Sequence, residues 1–295
     1  SPEEAAAFAK ACPTAPIVVP AFEYPVDLAY NIIGLEGLVL PPDVIAGILT
    51  GSITSWEDPA IAAANPGVDL TGLPPISVLG LDNSSGDVAA MTAWLGVEAP
   101  QDWTAGAVDS LTTATVTYPT YADLVADLMS TDGGVAVLPV FQAVNNAIPV
   151  AALPVKDVVV DPADTGLAKV GGGAVTLTVD EATGNITSSP AIGGIPTEGN
   201  FDIAASKVVL AEGQPLIGWP VLGVAHLMVC DDGKDPLPLS TAQYLMRLAG
   251  QGALETFGLT PLPEPVRVKT FGPLKVTVNM DAPASESMPA PSASL

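Results

Sequence analysis

A polar turn at residues 82–87, Asp-Asn-Ser-Ser-Gly-Asp, is the segment whose residue types best fit binding chemistry. An apolar, strand-like run precedes it at residues 76–79, and apolar residues at helical spacing follow it at residues 88–95. A strand, a Ser/Gly turn and a helix in this order leave free backbone N–H groups at the start of the helix. Those groups, with the serine hydroxyls and the helix dipole, can cradle an anion. The alternative is that the polar side chains of the turn only cap the helix.

The remaining residue types with chemical potential are one histidine and two cysteines. His226 lies in a strand-like apolar run, which favours a structural role over that of a catalytic base. Cys12 and Cys230 can form one disulfide but are too few for a sulfur-only zinc site. No nucleophile has a credible base beside it, so the sequence indicates that the protein is not an enzyme. It also indicates no metal and no cofactor.

The charge balance limits the classes of partner. The 295 residues include 32 acidic and nine basic side chains, for a formal net charge of −23. A nucleic-acid binder needs clustered Lys and Arg, so that class is excluded. No Lys or Arg occurs between Lys10 and Lys156. An anion bound by that half of the chain would therefore depend on backbone N–H groups and hydroxyls.

The composition predicts a folded α/β protein with a sizeable core. Only 14% of residues are charged, 48% are hydrophobic and the mean hydropathy is +0.44. The apolar stretches are interrupted before they reach the ~18 residues of a membrane span. Strands alternate with helices of ~10 residues, which is typical of α/β folds. Strands are expected at 17–19, 26–30, 76–79 and 135–140, and helices at 1–11, 44–50, 58–64, 88–95, 121–129 and 240–249. An irregular, loop-rich insertion with short β-like runs such as 174–179 is expected at 158–199.

Several short sequence segments match the pattern of one protein family. They are Leu-Thr-Gly-Ser-Ile-Thr-Ser-Trp-Glu-Asp-Pro-Ala-Ile at 49–61, Asn-Pro-Gly-Val at 65–68, Gly-Trp-Pro-Val at 218–221 and Gly-Leu-Thr-Pro-Leu-Pro at 258–263. In this order the sequence resembles the phosphate-binding component of bacterial phosphate ABC transporters, the PstS family, over most of residues 1–278. Within the first segment, Trp56 is expected to be a packing residue.

The resemblance implies an extracytoplasmic α/β protein of the type II periplasmic-binding-protein, or venus-flytrap, architecture, with the ligand between two lobes. The solute-binding domain would cover residues 1–280, with lobe 2 at roughly 25–215 and lobe 1 and the hinge at 1–24 and 216–280. Residues 281–295, rich in Pro, Ala and Ser, read as a linker or tail. The family places Cys12 and Cys230 near the hinge, on antiparallel neighbours that would bring them together as a disulfide.

The family's N-terminal portion, which carries further phosphate contacts, would precede Ser1. We therefore expect either a fragment or processed product of a longer protein, or a fold without those strands and incomplete in its first lobe. A small oxyanion would bind only if that portion supplied contacts.

The turn at 82–87 departs from the family's pattern Arg-x-Asp-x-Ser-Gly-Thr. The serine and glycine are kept, but the arginine, the aspartate and the threonine are replaced. The candidate ligand-binding residues, in this altered form, are Leu81, Asn83, Ser84, Ser85, Gly86 and Asp87. Losing the arginine removes a bidentate cation, and Asp87 adds a carboxylate that would repel an anion.

Two functions follow from the resemblance and its departures. The first is a PstS-like solute-binding protein with an altered or lost phosphate site, whose partner would be an ABC permease or another envelope protein. The second is a non-transport cell-surface module, structural, adhesive or for assembly, that keeps the same fold.

Overall fold

The computed structural model describes residues 2–155, 158–162, 175–190, 200–202, 207–209, 219–262 and 264–276. The predicted tail at 281–295 lies outside these residues. The helices are α1 (Pro2–Ala11), α2 (Pro42–Thr50), α3 (Pro59–Ala64), α4 (Gly86–Glu98), α5 (Tyr121–Leu128), α6 (Val140–Asn145), α7 (Leu237–Leu245), α8 (Leu248–Leu254) and α9 (Glu264–Lys269). The strands are β1 (Ile17–Asn31), β2 (Ser77–Leu81), β3 (Val116–Tyr118), β4 (Gly134–Pro139), β5 (Leu153–Val155), β6 (Val158–Val160), β7 (Val175–Val179), β8 (Ile186–Pro190), β9 (Asn200–Asp202), β10 (Lys207–Val209) and β11 (Leu222–Val229).

A five-stranded mixed sheet in the order β11-β1-β4-β2-β3 organises the fold. Strand β2 is parallel to both β3 and β4, whereas β1 is antiparallel to β4 and to β11. The carboxyl ends of the three parallel strands therefore lie at one edge, where α/β proteins commonly bind ligands. The remaining described strands form the two-stranded pairs β5-β6, β7-β8 and β9-β10.

Strand β1 is continuous over 15 residues, so the prediction of two separate strands at 17–19 and 26–30 was wrong. The prolines that suggested a break are accommodated by changes in pairing. Pro20 lies opposite His226 just before a register shift, and Pro25 is the last residue paired with β11. From Val26 onwards β1 pairs with β4 instead. A bulge and a change of partner tolerate residues that cannot donate to a regular ladder.

The hydrophobic clusters divide along β1. The second half of the strand packs with α2 and α4 on one face of the sheet and with α5 and α6 on the other. The first half packs with β11, α7 and α9 in a separate cluster that includes Val19, Val229 and Met246. Two packed units thus share one strand. The predicted lobe boundaries, 25–215 against 1–24 with 216–280, stay a prediction.

Two aromatic residues anchor the larger unit. Trp56 is fully buried, with its ring centroid 5.9 Å from that of Tyr30, so its predicted packing role is confirmed. Trp219 is also fully buried, and its Nε1 donates to the backbone oxygen of Val26 over 2.8 Å. Trp219 thereby fixes the chain before β11 at the point where β1 changes partners.

Cys12 and Cys230 form a disulfide, with their Cα atoms 5.6 Å apart. Ile17 is paired with Val229 at the adjoining end of the β1–β11 ladder. The bond therefore closes the end of this antiparallel pair and connects it to α1.

Some elements differ from the sequence prediction. Helix α6 and strand β3 were not predicted, and the helix expected at 240–249 is the two helices α7 and α8. The insertion at 158–199, expected to be loop-rich with short β-like runs such as 174–179, contains the β7–β8 hairpin in its described part. The Asn185 side chain connects that hairpin to the start of β1, accepting from Val18 N over 2.9 Å and donating to Pro16 O over 3.1 Å.

None of the helices in the described ranges combines the length and hydropathy needed to cross a membrane.

Candidate functional site

A cavity of about 470 Å³ opens at the carboxyl ends of β2 and β4. Its lining comes from β1, β11, the β2–α4 turn, the start of α5 and the start of α6. It lies beside the first half of β1 as well as the parallel strands, which places it between the two packed units. All six residues predicted from the sequence line it: Leu81, Asn83, Ser84, Ser85, Gly86 and Asp87.

Ser85 caps helix α4, which was the alternative to anion binding for the polar turn. It is the N-cap of α4, and its Oγ accepts from Val88 N over 3.3 Å. Its own backbone N donates to Asp109 O over 2.7 Å, which fixes the turn against a second loop. The Ser85 Oγ also lies 3.0 Å from the phenolic oxygen of Tyr121. Capping and contact with the cavity are therefore combined in one side chain.

The N-cap of α4 is Ser85, whereas the Asp87 side chain forms hydrogen bonds with two tyrosines that line the cavity. Asp87 is 2% exposed. Its Oδ1 accepts from the Tyr24 hydroxyl over 2.7 Å, and its Oδ2 accepts from the Tyr121 hydroxyl. An ionised carboxylate has acceptors only, whereas the threonine of the family pattern could donate to an anion. Asp87 therefore reverses the chemistry of this position.

The other altered positions add no positive charge. Leu81, which stands where the family pattern has arginine, is a partly buried residue packed against the α5 side of the sheet. The Asn83 side chain donates to Pro119 O at 3.5 Å. Ser84 Oγ is buried and has no hydrogen-bond partner among the described residues. No Lys, Arg or His occurs among the described residues that line the cavity.

A row of aromatic rings also lines the cavity, and sequence reasoning missed it. The ring centroids of Phe22 and Tyr24 are 6.3 Å apart, and those of Tyr24 and Phe141 are 5.8 Å apart in an edge-to-face arrangement. Phe22 and Tyr24 share one face of β1 because side chains alternate along a strand. That spacing was visible in the sequence, but the position of α6 that adds Phe141 was not.

Two buried acids on β1, Glu23 and Asp27, were also missed. Both are fully buried, and neither Glu23 carboxyl oxygen has a partner among the described residues. Burial raises the pKa of Glu23 to about 8. Burial likewise raises the pKa of Asp27 well above its usual value, although Asp27 Oδ1 accepts from Leu28 N over 2.7 Å. Neither residue is among those that line the cavity.

The other chemically interesting side chains do not form a catalytic or metal centre in the described parts of the chain. Burial lowers the pKa of His226, which pairs opposite Pro20 in the sheet. No group of three or more His, Cys, Asp and Glu side chains in those parts is placed to hold a metal ion.

The fold is that of the two-lobed periplasmic-binding-protein class. Comparisons with known proteins show which proteins the chain is similar to. The chain is 25% identical over 249 residues to the phosphate-binding protein PstS 2 of Mycobacterium tuberculosis, covering 83% of this chain and 62% of that protein. It is 36% identical over 106 residues to the phosphate-binding protein PstS 3 of Mycobacterium leprae, covering 36% of this chain and 28% of that protein. No protein-family model matches the chain.

The solved structures agree with this fold. A high-affinity periplasmic phosphate-binding protein, PfluDING, solved with phosphate bound, superposes with a TM-score of 0.54 at 18% identity, over 92% of this chain and 76% of that chain. The predicted periplasmic-binding-protein architecture and the resemblance to PstS-type proteins are thereby confirmed. Each of these relatives is named a phosphate-binding protein. The chain spans 62% of the length of its PstS 2 relative.

Proposed function

We propose that this chain is the solute-binding domain of an extracytoplasmic PstS-like protein whose phosphate site has been altered so that phosphate is no longer its ligand. The observation that carries the proposal is Asp87, a buried carboxylate at the start of α4 whose oxygens accept from Tyr24 and Tyr121. Leu81 supplies no counter-charge for an anion at the same turn. A phosphate ion in this cavity would meet a like charge in place of a hydroxyl donor.

In this function the domain would capture a solute in the cavity between its lobes and deliver it to an ABC permease. The two packed units that share β1 suit that role, because lobes joined by few strands can close around a ligand. The similarity to PstS proteins supports the permease as the partner class and an extracytoplasmic location.

Calorimetric titration of the chain with inorganic phosphate at low ionic strength tests the proposal. We expect no binding tighter than about 1 mM, which corresponds to only ~4 kcal/mol. A micromolar dissociation constant would show that the site still accepts phosphate and would overturn the altered-site assignment.

A second candidate is a non-transport surface module that uses the fold as a structural or assembly unit. The Tyr24–Asp87 hydrogen bond favours it, since that bond links β1 to α4 and occupies one oxygen of the carboxylate in the cavity wall. Saturable binding of a small solute in this cavity would contradict this candidate.

A further inference from the structure

We propose that the cavity binds a small organic cation of the ammonium class, with Asp87 as the opposing charge and the aromatic side chains around it as the wall. This inference rests on the proposed function as a solute-binding domain and names its class of solute. It is carried by the cavity lining, whose described members combine one carboxylate and four aromatic rings with no basic side chain.

The charges of the lining select the sign of the ligand. Asp87 is 2% exposed and belongs to the cavity wall. A carboxylate at low exposure is weakly screened by solvent, so it attracts a cation entering the cavity and repels an anion. The formal net charge of −23 acts in the same direction at longer range, because it raises the local concentration of cations at the surface.

The aromatic side chains fit the same class of ligand. Phe22, Tyr24 and Phe141 form a row with centroid separations of 6.3 and 5.8 Å, and Tyr121 lines the cavity beside Asp87. Ring faces carry negative charge density, and they attract an ammonium group that lies within about 6 Å of the centroid. Aromatic walls next to a carboxylate therefore suit an alkylated ammonium better than a strongly hydrated metal cation.

A polar side chain of the lining allows a ligand with a hydroxyl group. Gln142 lies in the lining at the start of α6, and its amide can donate and accept hydrogen bonds. The cavity volume of about 470 Å³ lies within the usual range for small-molecule sites. Choline, which has a quaternary ammonium and one hydroxyl, is therefore a suitable probe.

The test is a calorimetric titration of the whole chain with choline chloride, with sodium chloride as the ionic-strength control and sorbitol and inorganic phosphate as parallel arms. We expect saturable binding of choline with a submillimolar constant, and none for sorbitol or phosphate. The Asp87→Asn substitution keeps the shape and should weaken choline binding at least about tenfold, since it removes the opposing charge. The matched control Asp58→Asn changes a partly exposed N-cap acid on α3, outside the cavity lining, and should leave binding unchanged.

A second variant keeps the test decisive if Asp87→Asn impairs folding. Leu81→Arg introduces a guanidinium into the lining and should abolish choline binding in a chain whose circular dichroism is unchanged. Absence of choline binding, an equal affinity in the Asp87→Asn or Leu81→Arg chain, or preference for sorbitol would overturn the cation assignment alone. Micromolar phosphate binding would overturn the proposed function together with it.

Discussion

The hydroxyl of Tyr24 donates to Oδ1 of Asp87 over 2.7 Å and thereby joins β1 to the first turn of α4. Tyr24 lies in the half of β1 that pairs with β11, and its side chain packs against the same hydrophobic cluster that includes α4. One hydrogen bond to a buried carboxylate therefore connects β1 to α4 at the cavity itself. It also holds the carboxylate in the position where it decides which charge a ligand can carry.

Removing that hydroxyl should destabilise the protein modestly. Hydrogen bonds to charged groups contribute about 1.5–3 kcal/mol, so Tyr24→Phe should lower the free energy of unfolding by about 1–2 kcal/mol while the ring keeps its packing. Tyr244→Phe is the matched control because Tyr244 is 60% exposed on α7. Urea denaturation of both variants measures the difference. Equal stabilities would mean that the Tyr24–Asp87 bond contributes nothing.

The two altered positions of the turn can be tested by restoring the family pattern. In the Leu81→Arg/Asp87→Thr double variant, a guanidinium replaces an aliphatic side chain and a hydroxyl donor replaces the carboxylate. We expect phosphate affinity to rise at least about tenfold over the unmodified chain, since both changes favour an anion. Titration calorimetry at low ionic strength is the measurement. A double variant that binds phosphate no better would show that these two positions do not control the sign of the ligand.

The local part of the site could be predicted from the sequence, whereas its non-local part could not. The spacing of apolar residues and the Ser/Gly turn predict the strand, turn and helix at 76–95. The polar turn at the start of α4 and its N-cap at Ser85 could therefore be predicted. Asp87 and Tyr24 are separated by 63 positions. Their contact depends on how β1 packs over α4, which no short-range pattern encodes. The same reason explains why two prolines suggested a break in β1, since the change of strand partner at Pro25 is a tertiary event.

The disulfide between Cys12 and Cys230 should contribute substantially to stability, because it closes a loop over a sequence separation of 218 residues. The Cys12→Ser/Cys230→Ser double variant should lose about 3–5 kcal/mol of unfolding free energy. Thermal unfolding with and without reductant provides the measurement. The melting temperature of the unmodified chain should fall in reductant, whereas that of the double variant should not respond. An unmodified chain that is insensitive to reductant under unfolding conditions would contradict the stabilising role.

Buried Glu23 should make the protein less stable as the pH rises. Its pKa is raised from 4.5 to about 8 in the folded state by burial. Below pH 4.5 the carboxyl is neutral in both states and carries no penalty. Between these values the unfolded chain releases the proton while the folded chain retains it, so stability falls by up to about 1.4 kcal/mol per pH unit. Above about pH 8 the loss is complete and constant.

The Glu23→Gln variant separates this effect from the rest of the pH dependence. Glutamine has nearly the same shape and cannot ionise, so the variant should lose much of the downward slope between pH 5 and pH 8. Asp27, whose pKa is raised in the same direction, should leave a residual slope of the same sign. Glu98→Gln, at an exposed acid near the end of α4, is the matched control and should retain the full slope. Denaturant unfolding at half-unit pH steps gives the comparison. An unchanged slope in Glu23→Gln would mean that Glu23 is ionised in the folded protein, with a counter-charge or water at its buried oxygens.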